Sequence, residues 1–289
     1  MAAHRRSLAP RMSAGVDAHV HLWDRSVNPQ DWIDAETMAP IARDFDASDL
    51  SGMLASTGLD RAVVVQSSNS LEESIRLAGL DSPVVAGLVA WVDLAAEVGP
   101  QLDRIRMNAA VPVVGVRHLA HIDPDPQWMM REEVSAGLTV LEREGLCFDL
   151  VVREWQLPQA IHLATRHSGL RFVLDHLGGP PEPGQDRSGW ASRLRELARR
   201  PNVVAKVSGL TSGLAPGSWC AADLAASVTV AVESFGPERL LYGSDWPLAE
   251  LSGGAAPWKS AVEALLDGLS TVERARVFGG NAADVYSLS

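Results

Sequence analysis

Short apolar runs alternate with longer segments of mixed polarity along most of the chain. The runs have the length of β-strands, and most are continuous rather than alternating, which is typical of strands covered by helices on both faces. They cover residues 16–21, 61–66, 84–91, 113–118, 146–152, 171–176, 203–208 and 240–245. This pattern predicts eight strands, each separated from the next by a helical or irregular segment.

Several of the intervening segments carry the residues that begin and end helices. Segment 46–58 opens on acidic and serine residues suited to capping and ends at a glycine, and segment 157–169 has Pro158 in its first turn. Further helices are predicted at 188–200, 271–280 and 281–288. Repeated strand–helix units predict an α/β fold, a single (β/α)8 barrel of the usual size of about 250 residues. The main alternative, an open doubly wound sheet, usually has a glycine-rich turn after an early strand, where this chain has two histidines.

Composition and charge narrow the choice of partners and setting. The chain has 289 residues, is 46% hydrophobic and carries a net charge of −11, without a basic stripe, which argues against nucleic acid or an anionic membrane as a partner. Cys147 and Cys220 lack a metal-binding spacing and favour a reducing, cytoplasmic setting. No apolar stretch reaches the roughly 18 residues of a membrane helix. Residues 1–14 are predicted to be a flexible tail, or an over-extended start upstream of Met12, and residues 15–289 form the predicted barrel domain.

Two histidines stand at alternate positions of the first predicted strand. Because residues i and i+2 of a strand point to the same face, His19 and His21 are expected to project together. Two adjacent imidazoles can bind a metal ion, or can hold a polarised carbonyl or a water molecule between them. By itself, such a pair is also compatible with ordinary hydrogen-bonded strand histidines.

Polar residues stand at or near the ends of most other predicted strands, where barrel active sites form. They are Gln66, Arg117, His118, Asp149, Arg153, Asp175, His176, Lys206, Ser208, Ser244, Asp245 and Trp246. Unpaired polar groups are costly to bury, so we expect these side chains to converge on one pocket. Asp175 could equally hold Arg117 or His176 in place, and Lys206 could pair with a carboxylate inside the barrel.

Aromatic residues and the remaining histidines are less informative. Trp23, Trp91 and Trp246 lie at strand ends and could stack on a sugar-like ring, although tryptophan is also a common core residue. The histidines expected at the surface are His4 in the tail and His162 and His167 on an outer helix.

Six motifs follow one another in barrel order and cover residues from about 16 to 288. They are DAHVHLWD, GVRH, FVLDHLGGPP, AKVSGL, LLYGSDWPL and FGGNAADVY. In this order they resemble the amidohydrolase-2 family of metal-dependent hydrolases. More narrowly, the chain is similar to its sugar-lactonase branch, which includes fuconolactonase-like, rhamnonolactonase-like and pyrone-dicarboxylate lactonase-like enzymes. The resemblance implies an amidohydrolase-type barrel and a hydrolase of carbohydrate metabolism that opens a small cyclic ester.

The resemblance also implies a reacting centre built from four residues: His19, His21, His176 and Asp245. These residues could hold one zinc or manganese ion. The fourth strand offers no bridging lysine and the fifth offers no histidine, so a centre with two metal ions is not expected. Because the lactonase branch also includes members that work without a metal, the metal requirement stays open at this point.

Substrate contacts are expected from the same set of strand ends. The resemblance makes Arg117 and His118 substrate-contacting residues, and the arginine fork suits a carboxylate well. The other candidates are Trp23, Gln66, His121, Lys206 and Trp246. The expected partner is therefore a small lactone or sugar acid, and the sequence is compatible with both a monomer and a homodimer.

The expected reaction is attack of water on a lactone carbonyl. Asp245 would act as general base, and His19, His21 and His176, directly or through one ion, would stabilise charge on the carbonyl oxygen. One alternative is metal-dependent decarboxylation, against which the missing fifth-strand histidine argues. Another is a non-catalytic sugar-acid binder, which has no need for a carboxylate beside three histidines.

Overall fold

Eight parallel strands, hydrogen-bonded in sequence order, form the centre of the computed structural model, which describes residues 14–289. They are β1 (Val16–Val20), β2 (Arg61–Val65), β3 (Val85–Ala90), β4 (Val113–His118), β5 (Cys147–Leu150), β6 (Phe172–Leu174), β7 (Val203–Val207) and β8 (Leu240–Tyr242). All eight predicted strands and the α/β barrel class are confirmed. The predicted tail, residues 1–14, lies outside the described residues except for Ala14.

The sheet closes between its first and last strands. The Asp245 amide donates to the His19 carbonyl at 2.9 Å, and the His21 amide donates to the Trp246 carbonyl at 2.7 Å. Residues 243–245, predicted as strand, follow β8 in this structure, and Asp245 and Trp246 pair with the end of β1 through these bonds. Closure therefore brings Asp245 beside the histidine pair.

Helices cover the outside of the barrel. They are α1 (Ala47–Thr57), α2 (Leu71–Ala78), α3 (Val98–Arg106), α4 (Glu132–Arg143), α5 (Leu157–Arg166), α6 (Ser188–Ala198), α7 (Ala221–Phe235), α8 (Ala255–Leu265), α9 (Thr271–Ala275) and α10 (Asn281–Val285). The predicted capping of α1 is present, because the Asp46 carboxylate accepts the amides of Ser48 and Asp49. The predicted helix 271–280 consists of α9 and a wide π-turn, Arg276–Gly280. No helix among residues 14–289 is long and apolar enough to cross a membrane.

The prediction of a surface position for His167 is wrong. His162 is exposed on α5 as predicted, but His167 follows the last turn of that helix and is only 7% exposed. Its Nε2 atom lies 2.8 Å from the Ser135 hydroxyl on α4. The chain turns inward at the end of α5, so helical periodicity no longer decides which face this residue takes. His4 lies outside the described residues.

The inside of the barrel is filled by branched residues from the strands and by the C-terminal segment. Val63, Val65, Val173 and Leu241 belong to this inner cluster, together with Tyr286 just after α10. A larger apolar layer lies between the sheet and the outer helices. The end of the barrel opposite Tyr286 is left for the polar residues that follow the strands.

Candidate active site

The two histidines of the first strand meet inside the barrel. The Nδ1 atom of His21 lies 2.8 Å from the Val65 carbonyl oxygen, which can only accept a hydrogen bond. The proton of a neutral His21 therefore sits on Nδ1, and its Nε2 presents a lone pair. That Nε2 lies 3.2 Å from Nε2 of His19, whose side chain is fully buried.

Asp245 completes this group from the loop after β8. Its Oδ1 atom lies 3.5 Å from His21 Nε2 and 3.6 Å from His19 Nε2, and it is buried without a hydrogen-bond partner among the described residues. Burial raises the pKa of Asp245, but the neighbouring histidines, His176 ahead of His21 and His19, outweigh it, and the pKa lies well below its usual range. Asp245 is therefore ionised at neutral pH.

His176 stands beside this group, in the turn that follows β6. Its Nδ1 atom lies 2.9 Å from the Ser208 hydroxyl, and its ring centroid lies 4.6 Å from that of His19. The loop after β7 passes close to it: a Cβ atom on Gly209 would lie 2.4 Å from His176 Nδ1 and 3.0 Å from Asp245 Oδ2. Gly209 also has a φ of +64°. Both the left-handed backbone and the lack of space for a Cβ atom therefore require glycine at this position.

Lys206 lies at the Nδ1 atom of His19, whereas His21 lies at its Nε2 atom. Its fully buried ammonium group lies 2.5 Å from Asp149, 3.0 Å from Asp175 and 3.2 Å from His19 Nδ1. Burial lowers the pKa of Lys206, but the two carboxylates outweigh that effect and raise it above its usual value. Lys206 thus has the pairing with carboxylates that the sequence left open, and it does not line the cavity that His21 and His176 line.

Asp149 is also tied to the C-terminal segment. The Tyr286 hydroxyl donates to its Oδ2 atom at 2.8 Å. The buried network therefore extends from Tyr286 through Asp149 and Lys206 to His19. It contacts the Nδ1 atom of His19 and so fixes the orientation of that ring.

Arg117 connects the network to the cavity. Its Nη1 atom lies 3.0 Å from Asp175 Oδ2 and 3.3 Å from His19 Nε2, and its Nη2 donates to the Gln66 backbone carbonyl at 2.5 Å. Gln66 is itself fully buried and returns a side-chain hydrogen bond to the Arg117 carbonyl at 3.1 Å. Asp175 therefore holds Arg117 in place, which is one of the two roles that the sequence allowed for it.

His118 points away from the reacting centre. Its Nδ1 atom accepts a hydrogen bond from the Trp91 indole at 3.1 Å, and its Nε2 atom lies 2.8 Å from the Asp123 carboxylate. The ring stacks on Trp128 with a centroid distance of 3.7 Å. Burial lowers the pKa of His118 despite the neighbouring Asp123. These contacts account for its ring nitrogens, and the structure does not bring it to the cavity.

Two tryptophans proposed for substrate stacking also lie outside the cavity. Trp23 and Trp246 both pack edge-on against Phe45, with centroid distances of 5.5 Å and 5.0 Å, and both are buried. Trp32, which the sequence analysis did not select, lines the cavity instead. Trp32 follows no predicted strand directly, so strand-end position gave no reason to choose it.

A cavity of about 580 Å³ opens at this end of the barrel, over the predicted reacting centre. His21, Arg117, His176 and Asp245 lie at its closed end, and His121 lines its side. Burial, followed by the charge of Arg117, lowers the pKa of His121 to about 4, so this imidazole is neutral at physiological pH. The structure therefore gathers most of the predicted catalytic residues and the predicted contacts Arg117 and His121 around one space.

Three possible metal-ligand atoms in the site have a spacing that suits one metal ion. The ligand atoms of His19, His21 and Asp245 all lie within 4.8 Å of one another. Four ligands held tetrahedrally at about 2.0–2.1 Å from zinc lie about 3.3 Å apart, close to the three separations found here. His176 belongs instead to a neighbouring group with His19 and Asp175. Of the four predicted ligands, the structure thus groups three, and the carboxylate of Asp175 is already paired with Arg117 and Lys206.

Comparison with known proteins shows the class to which this barrel belongs. Residues 16–288 match the family described as Amidohydrolase, Amidohydro_2. The chain belongs to the amidohydrolase family, as its motifs predict, and the prediction of a hydrolase is confirmed at this level.

Similar proteins within this family include two named lactonases and a solved structure with bound zinc. The chain is 33% identical to the L-fucono-1,5-lactonase of Burkholderia ambifaria, over 96% of this chain and 97% of that protein. It is 32% identical to the L-fucono-1,5-lactonase of Burkholderia multivorans, over 94% and 96%. A solved amidohydrolase of Burkholderia multivorans with bound zinc superposes with a TM-score of 0.87 at 30% identity, covering 96% of this chain and all of that one.

Sequence reasoning missed two residues that shape this site. Gly209 stands in the AKVSGL motif directly after a predicted strand, so the motif could have pointed to a close backbone approach. Tyr286 ends the FGGNAADVY motif, but its contact with Asp149 had no local signal, because 137 residues separate the two.

Proposed function

We propose that this protein hydrolyses a small cyclic ester, a sugar-acid lactone or a related lactone. The observation that carries the proposal is the group of three possible metal-ligand atoms at the closed end of the cavity, His19 Nε2, His21 Nε2 and Asp245 Oδ1. Full-length relatives that are named lactonases support the same reaction.

In this proposal Asp245 acts on the attacking water. Its low pKa keeps it ionised, and the attacking oxygen becomes acidic as it bonds to the carbonyl carbon, so the proton passes to the carboxylate during attack. The tetrahedral intermediate then breaks its ring C–O bond. Asp245 returns the proton to the departing alkoxide, and the product is the open hydroxy acid.

The neighbouring side chains would hold the carbonyl and the ring. His176 lines the cavity with its Nδ1 bound to Ser208, which leaves Nε2 available to the substrate. Arg117 faces the same space while Asp175 fixes its orientation. Donors aimed at the carbonyl oxygen stabilise the charge that develops there, and the loss of one typically costs about 2.7–4 kcal/mol of barrier.

His19, His21 and Asp245 would hold a divalent ion in this scheme. When bound, such an ion polarises the carbonyl and lowers the pKa of a water molecule. Lys206 and Asp175 would orient the His19 ring, since both lie within 3.3 Å of its Nδ1 atom, on the side away from His21. An outer contact of this kind fixes the direction in which an imidazole presents its other nitrogen.

A panel of aldonic-acid lactones, followed with a pH indicator before and after chelator treatment, tests the proposal. We expect acid release from at least one lactone, with loss of activity in the chelated protein and recovery on adding Zn²⁺ or Mn²⁺. Carbon dioxide release from an aromatic acid without lactone opening would instead support a decarboxylase. Tight lactone binding without hydrolysis at any pH or metal load would support a binding protein.

A further inference from the structure

The cavity continues beyond the reacting centre along an apolar surface. Gly209 touches the reacting centre, and the next residue, Leu210, begins this surface. The apolar residues that line it are Leu210, Leu214, Leu224 and Leu248 from the chain after β7 and β8, and Val151, Val152, Pro180, Pro181 and Pro183 from the chain after β5 and β6. We call these nine residues the apolar wall.

The space is larger than a simple sugar lactone needs. A six-carbon lactone has about eleven non-hydrogen atoms, each taking less than the roughly 30 Å³ that a water molecule occupies in the liquid, which gives an upper bound of about 330 Å³. The cavity measures about 580 Å³. A sugar lactone bound at the closed end would therefore leave the apolar wall uncovered.

The charged residues that line the rest of the cavity do not form a positively charged site for an anionic substituent of the substrate. Arg153 and Arg187 line the cavity together with Glu182 and Asp223, so both signs are present in equal number. Two apolar side chains, Trp32 and Ile122, also line the cavity and are 45% and 61% exposed.

Hydroxyl groups would be poorly matched to this surface. Ser212 and Ser227 also line the cavity, but the leucine, valine and proline side chains of the apolar wall offer no hydrogen-bonding group. A polar substituent pressed against the wall would lose its hydrogen bonds to water without replacement, which is unfavourable. An alkyl or aryl group would be stabilised there by leaving water.

We propose that the preferred substrate is a lactone bearing an uncharged apolar substituent of about four or more carbons, which lies on the apolar wall while the ring ester meets Asp245. This inference rests on the proposed lactone hydrolysis, since it uses the same closed end of the cavity for the ring. It concerns the substituent, which the reacting centre itself does not select.

The test compares two lactones with the same ring, δ-valerolactone and δ-decalactone, which carries a pentyl group. Each methylene removed from water favours binding by a factor of about four. We expect kcat/KM for δ-decalactone to exceed that for δ-valerolactone by at least about tenfold. Equal or lower kcat/KM for δ-decalactone would overturn the inference while leaving lactone hydrolysis intact.

A pair of variants assigns the preference to the wall. Leu214→Asn places an amide on the half-buried part of the apolar wall, and Val272→Asn makes the same kind of change at an exposed position on α9, outside the cavity. We expect L214N to lose most of the preference for the pentyl lactone and V272N to keep it. An unchanged preference in L214N would contradict the role of the wall.

Binding of the corresponding lactams separates the two proposals. Lactams resist opening, so the affinity for δ-valerolactam and its 6-pentyl derivative, measured by calorimetry, does not depend on catalysis. At least about tenfold tighter binding of the pentyl lactam supports the apolar wall even if neither lactone is opened, a result that would remove the proposed function alone. Equal affinity for the two lactams would overturn the inference.

Discussion

The Nε2 atoms of His19 and His21 lie 3.2 Å apart inside the barrel, and the lone pair of His21 is fixed toward its neighbour by the bond from its Nδ1 to the Val65 carbonyl. Asp245 adds a carboxylate oxygen within 3.6 Å of both atoms. The His21 lone pair and this carboxylate repel each other unless a proton on His19 or a bound cation lies between them. The arrangement therefore suits a positive charge at this point of the site, supplied by a proton or by a bound cation.

Zinc binding should depend on the histidine pair. We predict one Zn²⁺ per chain and at least a roughly 100-fold loss of zinc affinity in His21→Ala, since even outer contacts to a metal ligand are worth about 10- to 100-fold. Competition with a chromogenic zinc chelator measures this without an activity assay. His162→Ala, an exposed histidine on α5, should bind zinc as the unaltered protein does. Equal zinc affinity in H21A would contradict the assignment.

Gly209 and Gly213 provide a matched pair in the loop after β7. Both have positive φ, +64° and +86°, but a Cβ on Gly209 would clash with His176 and Asp245, whereas a Cβ on Gly213 meets nothing within 4 Å. Both alanine variants should lose roughly 1–2 kcal/mol of stability from backbone strain. Only Gly209→Ala should also lose about 100-fold in kcat, the usual effect of misplacing catalytic groups by about 1 Å. Similar kcat in the two variants, measured beside thermal unfolding, would argue against the close approach.

Lys206→Met should be strongly destabilising. The change leaves the buried carboxylates of Asp149 and Asp175 without their shared ammonium group, and breaking a buried ion pair typically costs about 3–5 kcal/mol. Urea unfolding measures the loss. Adding Asp149→Asn should restore part of the stability, because it removes one of the uncompensated charges. A loss below about 1 kcal/mol in K206M would show that this network contributes little to the fold.

His167 should make the protein less stable in acid. Burial, as the main cause, lowers the pKa of His167 below the unfolded value of 6.5. The unfolded chain therefore binds the proton more readily, so the contribution of His167 is present above pH 6.5 and is lost as pH falls toward its folded pKa. His167→Asn should narrow the difference in unfolding free energy between pH 8 and pH 5, and His162→Asn, on the exposed face of α5, should not. An unchanged difference in H167N would contradict this account.

The sequence predicted the barrel well because its signals were local. The apolar runs identified all eight strands, and the polar residues after them marked the end of the barrel where the site lies. Barrel geometry predicted that the polar strand ends converge on one pocket, and the family resemblance singled out His19, His21, His176 and Asp245 among them.

The direction of individual side chains could not be predicted in the same way. Arg117 and His118 are the last two residues of β4, but adjacent strand residues face opposite sides, so His118 turns to Trp91 and Trp128 while Arg117 enters the site. Trp23 and Trp246 are held by Phe45, which comes from a long loop whose path no periodic pattern describes. Contacts across long separations, such as Tyr286 with Asp149, likewise left no local signal.

The most direct test of the central claim is the rate of lactone opening in Asp245→Asn, measured by pH-stat on the best substrate of the panel. Asparagine keeps the size of the side chain but cannot take a proton from water, so kcat should fall by about 100- to 10,000-fold, with the circular dichroism spectrum unchanged. Asp267→Asn, an exposed carboxylate after α8, should retain the original rate. Lactone opening by D245N at a rate within tenfold of the unaltered protein would contradict the account.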